Sequence, residues 1–370
     1  MDAEILAKAI VSTLRQAGYQ AYLVGGCVRD LLLGCHPKDF DVSTDAPPQR
    51  LLELFPKSGQ VGAHFGVVLV RDGGHHVEVA TFRSEHDYAD GRRPSNVHFE
   101  ADPRQDVLRR DFTINGLMMD IESRAVLDYV GGRADLEARL IRAIGDPELR
   151  FREDHLRLLR AVRLATRFGF EIEAATLAAI RRNHALIRKV SAERIREELT
   201  RILTEGSARR GFELLDTTGL LDDLLPEIAA MKGVEQPPEF HPEGDVFIHT
   251  LLLLDNLPQL CTPTLAWGAL LHDVGKPATF RKAPDRIRFD NHVDVGVKIA
   301  EGICQRLHFS NDDTEQIIAL VDNHMRFMDA MRMNESTLKN LCACRSSKNT
   351  WNCIAWMPLP AMDTWVRMIS

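Results

Sequence analysis

Cysteine is sparse and follows no pattern. The 370 residues hold seven, no Cys-x-x-Cys occurs, and only Cys342 and Cys344 stand close together. An odd number without regular spacing argues against a disulfide framework and for reduced thiols in the cytosol. The opening stretch, MDAEILAKAIVSTLRQAGYQ, lacks a basic region followed by an apolar core, so no signal peptide is expected. No apolar run is long enough to span a bilayer. A fixed-period repeat is absent too. What remains is the expectation of a cytoplasmic protein of two or three domains with no membrane partner.

A net charge of −7 counts at first against a nucleic-acid partner. The charge is uneven, however: between Arg139 and Arg210 Lys and Arg outnumber Asp and Glu. A basic stripe on an acidic protein can bind a phosphate backbone in a salt-dependent way, and a solvated helical surface accounts for it equally well.

Periodicity divides the chain. Ile5, Leu6, Ile10, Val11 and Leu14 recur at helical spacing, AYLVGG reads as a buried strand closed by two glycines, and DFDVST reads as the next strand. GVVLVRDGGHHVEVATFR is two β-rich runs joined at Asp72-Gly73-Gly74, a hairpin signal. From about Leu136 the pattern is helical, and MKGVEQPPEFHPEGD is a Pro-, Gly- and acid-rich linker before a second helical region. The fold class expected is α+β: a mixed α/β head over 1–147, an all-α neck over 148–230, a helical domain over 240–341, and a tail over 342–370.

The chemistry in the head starts from Gly25-Gly26-x-x-Arg29-Asp30, then Asp39-x-Asp41. On a strand, residues two apart face the same way, so Asp39 and Asp41 would project two carboxylates side by side. That arrangement is unfavourable unless a cation neutralises it, and hard oxygen ligands favour Mg²⁺. A two-metal site of this kind would activate an attacking 3′-hydroxyl and hold triphosphate oxygens for in-line displacement. The Gly-Gly turn before a helix start offers backbone N–H groups to phosphates. Glu78, in HHVEVATF, is a candidate third carboxylate; an exposed strand residue is the bland alternative.

LVGGCVRDLLLGCHPKDFDVST resembles the signature of class II tRNA nucleotidyltransferases and bacterial poly(A) polymerases, within the polymerase-β-like superfamily. EVATFR, RRPSNVHF, RRDFTINGLMMD, DYVGGRADLEARLIRAIGDP and FREDHLRLLRAVRLATRFGFEIE follow in the same order, so the resemblance covers about residues 20–225. It implies a polymerase-β-like head with Asp39 and Asp41 as metal ligands and with Gly26, Arg29 and Arg110 on the nucleotide.

Asp154 and Arg157, at i and i+3, would share a helix face, where an ion pair is the bland reading. Base chemistry gives a sharper one. Cytosine and adenine each present a ring-nitrogen acceptor beside an amino donor. Arg157 can donate to the first while Asp154 accepts from the second. Uracil and guanine present the reverse, and unpaired buried polar groups cost roughly 1–3 kcal/mol each. In the family this helix selects the base, and Arg160 and Arg163 recur there as nucleotide-binding positions; packing of the neck is the alternative for Arg163.

In the second helical region LAWGALLHDVGKP places His272-Asp273 at a helix end, and His249, His292 and His324 stand on neighbouring segments. Such a group suits a divalent metal. It resembles the HD phosphohydrolase superfamily, whose ligands are a His, the His-Asp pair and a later Asp. His249, His272 and Asp273 fill three places, and His292 and His324 are left for a second metal or a substrate phosphate. Asp363 stands at no matching position. After about Leu341 composition changes sharply, with three of the four tryptophans and three of the seven cysteines in the last stretch. Residues 348–357 have a possible coding sequence that, begun one base earlier, reads Glu-Glu-His-Leu-Glu-Leu-His-Arg-Met-Asp. The family has a similar helix here, so a frameshifted tail is expected, with the last HD ligand missing.

The function expected is template-independent addition of CCA to tRNA 3′ ends from CTP and ATP with Mg²⁺. The alternatives are a bacterial poly(A) polymerase, a CC- or A-adding enzyme, or an HD-type phosphohydrolase with an RNA-binding head.

Overall fold

The first helix, Ala3–Gln16, buries Leu6, Ala7, Ile10, Val11 and Leu14, the stripe its sequence spacing dictates. Ile5 departs from the expected stripe and faces solvent at 54% exposure, with Ala7 taking the inward position. The structure is a computed structural model that describes residues 3–60, 66–88, 91, 94–237, 244–258, 261–284 and 286–327.

The head is built on a mixed sheet. Its strands are β1 (Ala21–Val24), β2 (Asp41–Thr44), β3 (Gly59–Gln60), β4 (Val67–Asp72) and β5 (His75–Thr81). Beyond the separate hairpin β6 (Arg83–Tyr88) and β7 (Pro94–Phe99), β8 (Leu117–Met119) and β9 (Val126–Asp128) complete it. The spatial order is β3-β4-β5-β2-β1-β8-β9. The expected hairpin is present: Asp72 pairs with His75 across Gly73-Gly74, both with positive φ. β2 and β5 run parallel, with Asp41 opposite Glu78. Val42, Val68, Val77, Val79 and Phe82 are buried, so this part of the sheet is anchored by β-branched and aromatic side chains.

The chain divides into two compact units. One comprises residues 1–157 with Phe170–Arg182; the other comprises Leu158–Gly169 with the chain from Asn183 onward. In the second unit Trp267, fully buried on the helix Pro263–Leu271, donates its indole N–H to Thr200 Oγ1 on the helix Ala192–Thr204 at 2.9 Å. Phe309 meets the Trp267 ring edge-on at 5.2 Å. The helices His292–Arg306 and Asn311–Phe327 complete the described part of this unit. Among the described residues no helix is long and apolar enough to cross a membrane.

Candidate functional site

In the head, the turn after β1 is set by Gly25. Its φ of 78° and ψ of −132° belong to glycine, and a Cβ there would lie 3.2 Å from Arg110 Nη1. The helix Gly26–Leu32 follows at once. Arg29 is buried beneath this turn. It donates to Asp30 Oδ1 through Nε and Nη2, at 2.8 and 2.6 Å, and to Asn115 Oδ1 through Nη1 at 2.5 Å. Its guanidinium is thus tied to Asp30 and Asn115, with Nη2 3.4 Å from where a Cβ on Gly26 would lie.

Asp39 is exposed and lies in the bend before β2, and Asp41 opens the strand half-buried. This corrects the expectation of both carboxylates on one strand: the strand starts only at Asp41. Phe40 between them is buried at 1% exposure, and the charge of Asp39 acts on Asp41. Glu78 is exposed on β5, and the parallel register sets it directly opposite Asp41.

Burial and the charge of Glu78 push the Asp41 carboxyl up to about 6, with Asp39 adding to the rise and Arg110 opposing it. The charges of Glu78 and Asp39 thus reach Asp41, but among the described residues these three carboxylates do not close into one compact ligand group; the donors they offer are all carboxylate oxygens. That is the donor set a Mg²⁺ ion accepts. Arg110 supplies the one opposing charge among those causes. Its Nη2 donates to Asp106 Oδ2 at 2.8 Å and to Ser43 Oγ at 3.4 Å, while its buried Nε has no partner. Composition and motif spacing overlooked Asp106, although Asp106, Arg109 and Arg110 stand at the i, i+3, i+4 spacing of helical ion pairs.

Asp154 and Arg157 do not share a helix face. The helix Pro147–Glu153 ends at Asp154, which is extended (φ −137°, ψ 106°), and the next helix begins at Arg157. Asp154 Oδ1 accepts the Leu156 N–H at 3.1 Å, as an N-cap does. The ion pair of Arg157 is with Glu153, at 2.7 Å from Nη1, and its Nη1 and Nη2 also donate to the carbonyls of Arg150 (3.2 Å) and Arg109 (3.0 Å). These bonds leave part of a five-donor guanidinium for a base. Arg160 and Arg163 lie further along the helix, in the other unit. Arg163 is buried, 2.5 Å from Glu198 Oε2 and 3.7 Å from Glu205 Oε2, inside the neck.

The second unit gathers the predicted histidines. Asp273 Oδ2 lies 3.1 Å from His272 Nε2 and 3.9 Å from His249 Nε2. Its Oδ1 lies 3.6 Å from His324 Nε2 and 3.9 Å from His292 Nε2. Gly275 makes this possible, since a Cβ there would lie 2.0 Å from the His292 carbonyl, so only glycine lets the two segments meet. The Nδ1 atoms of His272, His292 and His324 bond the carbonyls of Ala269, Phe289 and Val321 at 2.8, 2.9 and 2.7 Å. With Nδ1 bonded to a carbonyl, each ring turns Nε2 toward Asp273; all three Nε2 atoms are buried, that of His272 3.1 Å from Asp273 Oδ2, and none makes a well-aligned hydrogen bond. Burial lowers His292 and holds His324 at about 4, so both imidazoles are neutral at pH 7, as ligands must be. The donors form two groups sharing Asp273: His249 with His272, and His292 with His324. Lys276, to which the sequence reading gave no role, is buried here, 2.7 Å from Asp273 Oδ2 and 2.6 Å from Gln236 Oε1.

Comparison with known proteins gives a consistent series. The family models described as "Poly A polymerase head domain", "Probable RNA and SrmB- binding site of polymerase A" and "HD domain" match residues 21–142, 169–232 and 246–348 in turn. A CCA-adding enzyme of Lactobacillus helveticus is 42% identical over 256 residues, 68% of this chain and 64% of the relative. One of Bacillus pumilus is 39% identical over 266 residues, 72% of this chain and 62% of the relative. The chain therefore matches less than two thirds of the length of these curated relatives. Among solved structures, the Bacillus stearothermophilus CCA-adding enzyme in complex with CTP has a TM-score of 0.54 at 26% identity, over 100% of this chain and 93% of that one.

Proposed function

The chain belongs to the nucleotidyltransferase family that carries the poly(A) polymerase head domain and includes the CCA-adding enzymes, and from that premise we propose that it adds C, C and A to the 3′ ends of tRNA, drawing on CTP and ATP. The observation that carries this reading is the register that faces Glu78 with Asp41 beside Asp39, with Arg110 between this cluster and the Gly25 turn. Asp39 and Asp41, with Glu78 beside them, would hold Mg²⁺, which supplies charge neutralisation and an activated 3′-hydroxyl for in-line attack on the α-phosphorus. Gly26 and its turn would present backbone N–H groups to the triphosphate; Arg29, buried against Asp30 and Asn115, and Arg110, beside the Gly25 turn, are assigned to the nucleotide with them. Arg157 donates to the ring nitrogen of C or A and Asp154 accepts from the amine. We assign Arg160 to the nucleotide as well; for Arg163, burial against Glu198 favours support of the neck.

Incubation with tRNA lacking its CCA, with Mg²⁺ and labelled CTP or ATP, tests this. CTP incorporation followed by ATP is the expected result. Long A-tails without CTP use would replace the reading with a poly(A) polymerase. Asp39→Ala or Asp41→Ala should abolish incorporation, and survival of activity would sink the metal-site assignment.

The Nε2 atoms turned toward Asp273 favour a second activity, a metal-dependent phosphohydrolase in the HD region. His249, His272, Asp273, His292 and His324 would hold a divalent metal. We retain the division into a head over 1–147, a neck over 148–230, an HD-type domain over 240–341 and an aberrant tail from 342. The tail, and with it the last ligand of the HD pattern, lies outside the described residues. Sequencing the gene tests the frameshift: a shifted frame with an early stop, or without a helix ending in Leu-His-Arg-x-Asp, ends that idea.

A further inference from the structure

Asp106, on the helix Pro103–Leu108, has no exposed surface, and its two oxygens serve different arginines. Oδ1 accepts Arg109 Nε at 2.9 Å and Nη2 at 2.6 Å. Oδ2 accepts Arg110 Nη2 at 2.8 Å, with Ser43 Oγ at 3.5 Å alongside. Each guanidinium then leads elsewhere. Arg110 lies against the Gly25 turn, counters the charge at Asp41 and carries a buried Nε–H without a partner. Arg109 reaches Glu85 on β6 at 3.2 Å, and its main-chain carbonyl accepts Arg157 Nη2 at 3.0 Å. Arg109 and Arg110 therefore meet at one carboxylate.

A fully buried carboxylate needs partners of opposite charge. Burial alone would raise its proton affinity, but Arg110 and Arg109 together hold Asp106 at about 2. It is ionised at every working pH, and two charge-assisted bonds fix directions that a neutral group would leave loose. A flexible arginine placed in advance loses less freedom on binding an anion, which is where affinity is gained.

We propose that Asp106 is a positioning residue of the nucleotide site: its Oδ2 fixes Arg110 for the phosphates, while its Oδ1 ties Arg109 into the fold. This rests on the reading of Arg110 as a nucleotide contact. Asp106 itself touches no substrate. A residue that acts through Arg110 predicts more than instability, because its effect on nucleotide affinity must vanish once Arg110 is gone.

The test is a double-mutant cycle in the full-length protein, with tRNA lacking CCA, varied CTP or ATP, and CTP binding by equilibrium dialysis in parallel. Asp106→Asn should raise KM for both nucleotides and the CTP dissociation constant about tenfold, with kcat within about threefold. Against Arg110→Ala, the same substitution should add no further change in KM or CTP binding. Effects that multiply, or a fall in kcat at unchanged KM, would overturn the proposal. If Arg110→Ala alone leaves CTP binding unchanged, the nucleotide reading of Arg110 fails and takes this inference with it. If Arg110→Ala weakens binding and Asp106→Asn does not, only the anchoring role fails. Should Asp106→Asn not fold, Ser43→Ala removes just the long contacts to Asp106 and Arg110. It should raise KM about twofold to threefold in the wild type and not on Arg110→Ala; an unchanged KM in the wild type overturns the proposal.

Discussion

Asp41 is pulled in two directions. Its site needs an ionised carboxylate, while burial and the facing charges of Glu78 and Asp39 penalise that ionisation and push its carboxyl up to about 6. A raised carboxylate means that the folded chain holds its proton longer than the unfolded chain does, so folding stability falls as pH climbs from about 4 to 6. At pH 7.5 the ionised group is then a net liability in chelated protein. Asp41→Asn should lose nucleotide incorporation by more than ~100-fold, beyond what a supporting contact costs. The same variant in EDTA should melt higher, by about 2–4 °C for each ~1 kcal/mol of relieved repulsion. A lower melting temperature would show that Asp41 is held by contacts other than the carboxylate cluster. Asp106 runs the other way. Its depressed value means that its contribution is complete above about pH 4 and is lost as pH falls toward 2. The difference in melting temperature between wild type and Asp106→Asn should therefore shrink in that window, and a constant difference would exclude ionisation as its source.

At the scale of elements, the arginine row Arg157, Arg160, Arg163 breaks into different roles. Arg157 sits in the first turn and bonds Glu153 and two carbonyls, whereas Arg163 is buried against Glu198. Removing one member of a buried ion pair leaves the other charge uncompensated, at a cost of about 3–5 kcal/mol. Arg163→Ala should accordingly lower the melting temperature strongly while leaving CTP and ATP KM values near wild type at a temperature where it stays folded. Arg157→Ala should do the reverse, with UTP incorporation rising against CTP and a smaller effect on RNA affinity. If Arg163→Ala shifts nucleotide KM without destabilising, the packing role is wrong. These elements also show where the sequence could be read. The Asp72-Gly73-Gly74 hairpin was legible because its chemistry is local, as was the stripe of the first helix apart from Ile5. The break at Asp154 was missed, because i and i+3 spacing looks the same whether the helix continues or restarts. A signal existed in the preference of Asp for N-caps, and Asp154 does accept the Leu156 N–H. The pairing of Asp41 with Glu78 spans 37 positions, the difference of their residue numbers, and depends on a parallel register that no local pattern encodes. Glu78 was a candidate from its place in HHVEVATF, but its register partner could not be read there.

At the scale of the whole molecule, two candidate metal sites differ in donor chemistry, and this yields a prediction independent of either substrate. The head offers carboxylate oxygens, which suit Mg²⁺ with its retained waters. The HD cluster offers imidazole nitrogens around one shared carboxylate, with Nδ1 atoms tied to carbonyls so that the Nε2 atoms converge. Nitrogen donors of this kind favour transition metals over Mg²⁺. After chelation, Mg²⁺ alone should restore nucleotide incorporation, while phosphoester hydrolysis by the HD region, read with a chromogenic phosphodiester or phosphomonoester, should need Mn²⁺, Co²⁺, Ni²⁺ or Zn²⁺. Metal analysis of the dialysed protein should report transition metal that is lost on His272→Ala, with incorporation unchanged. Asp273→Asn should lose more metal than any single histidine change, since both donor groups share that carboxylate. Hydrolysis restored by Mg²⁺ alone would contradict the donor argument. Transition metal retained in Asp273→Asn would contradict the shared-ligand geometry. Metal bound normally without hydrolysis would place the deficit beyond the five described donors, where the sequence reading of the tail expects it.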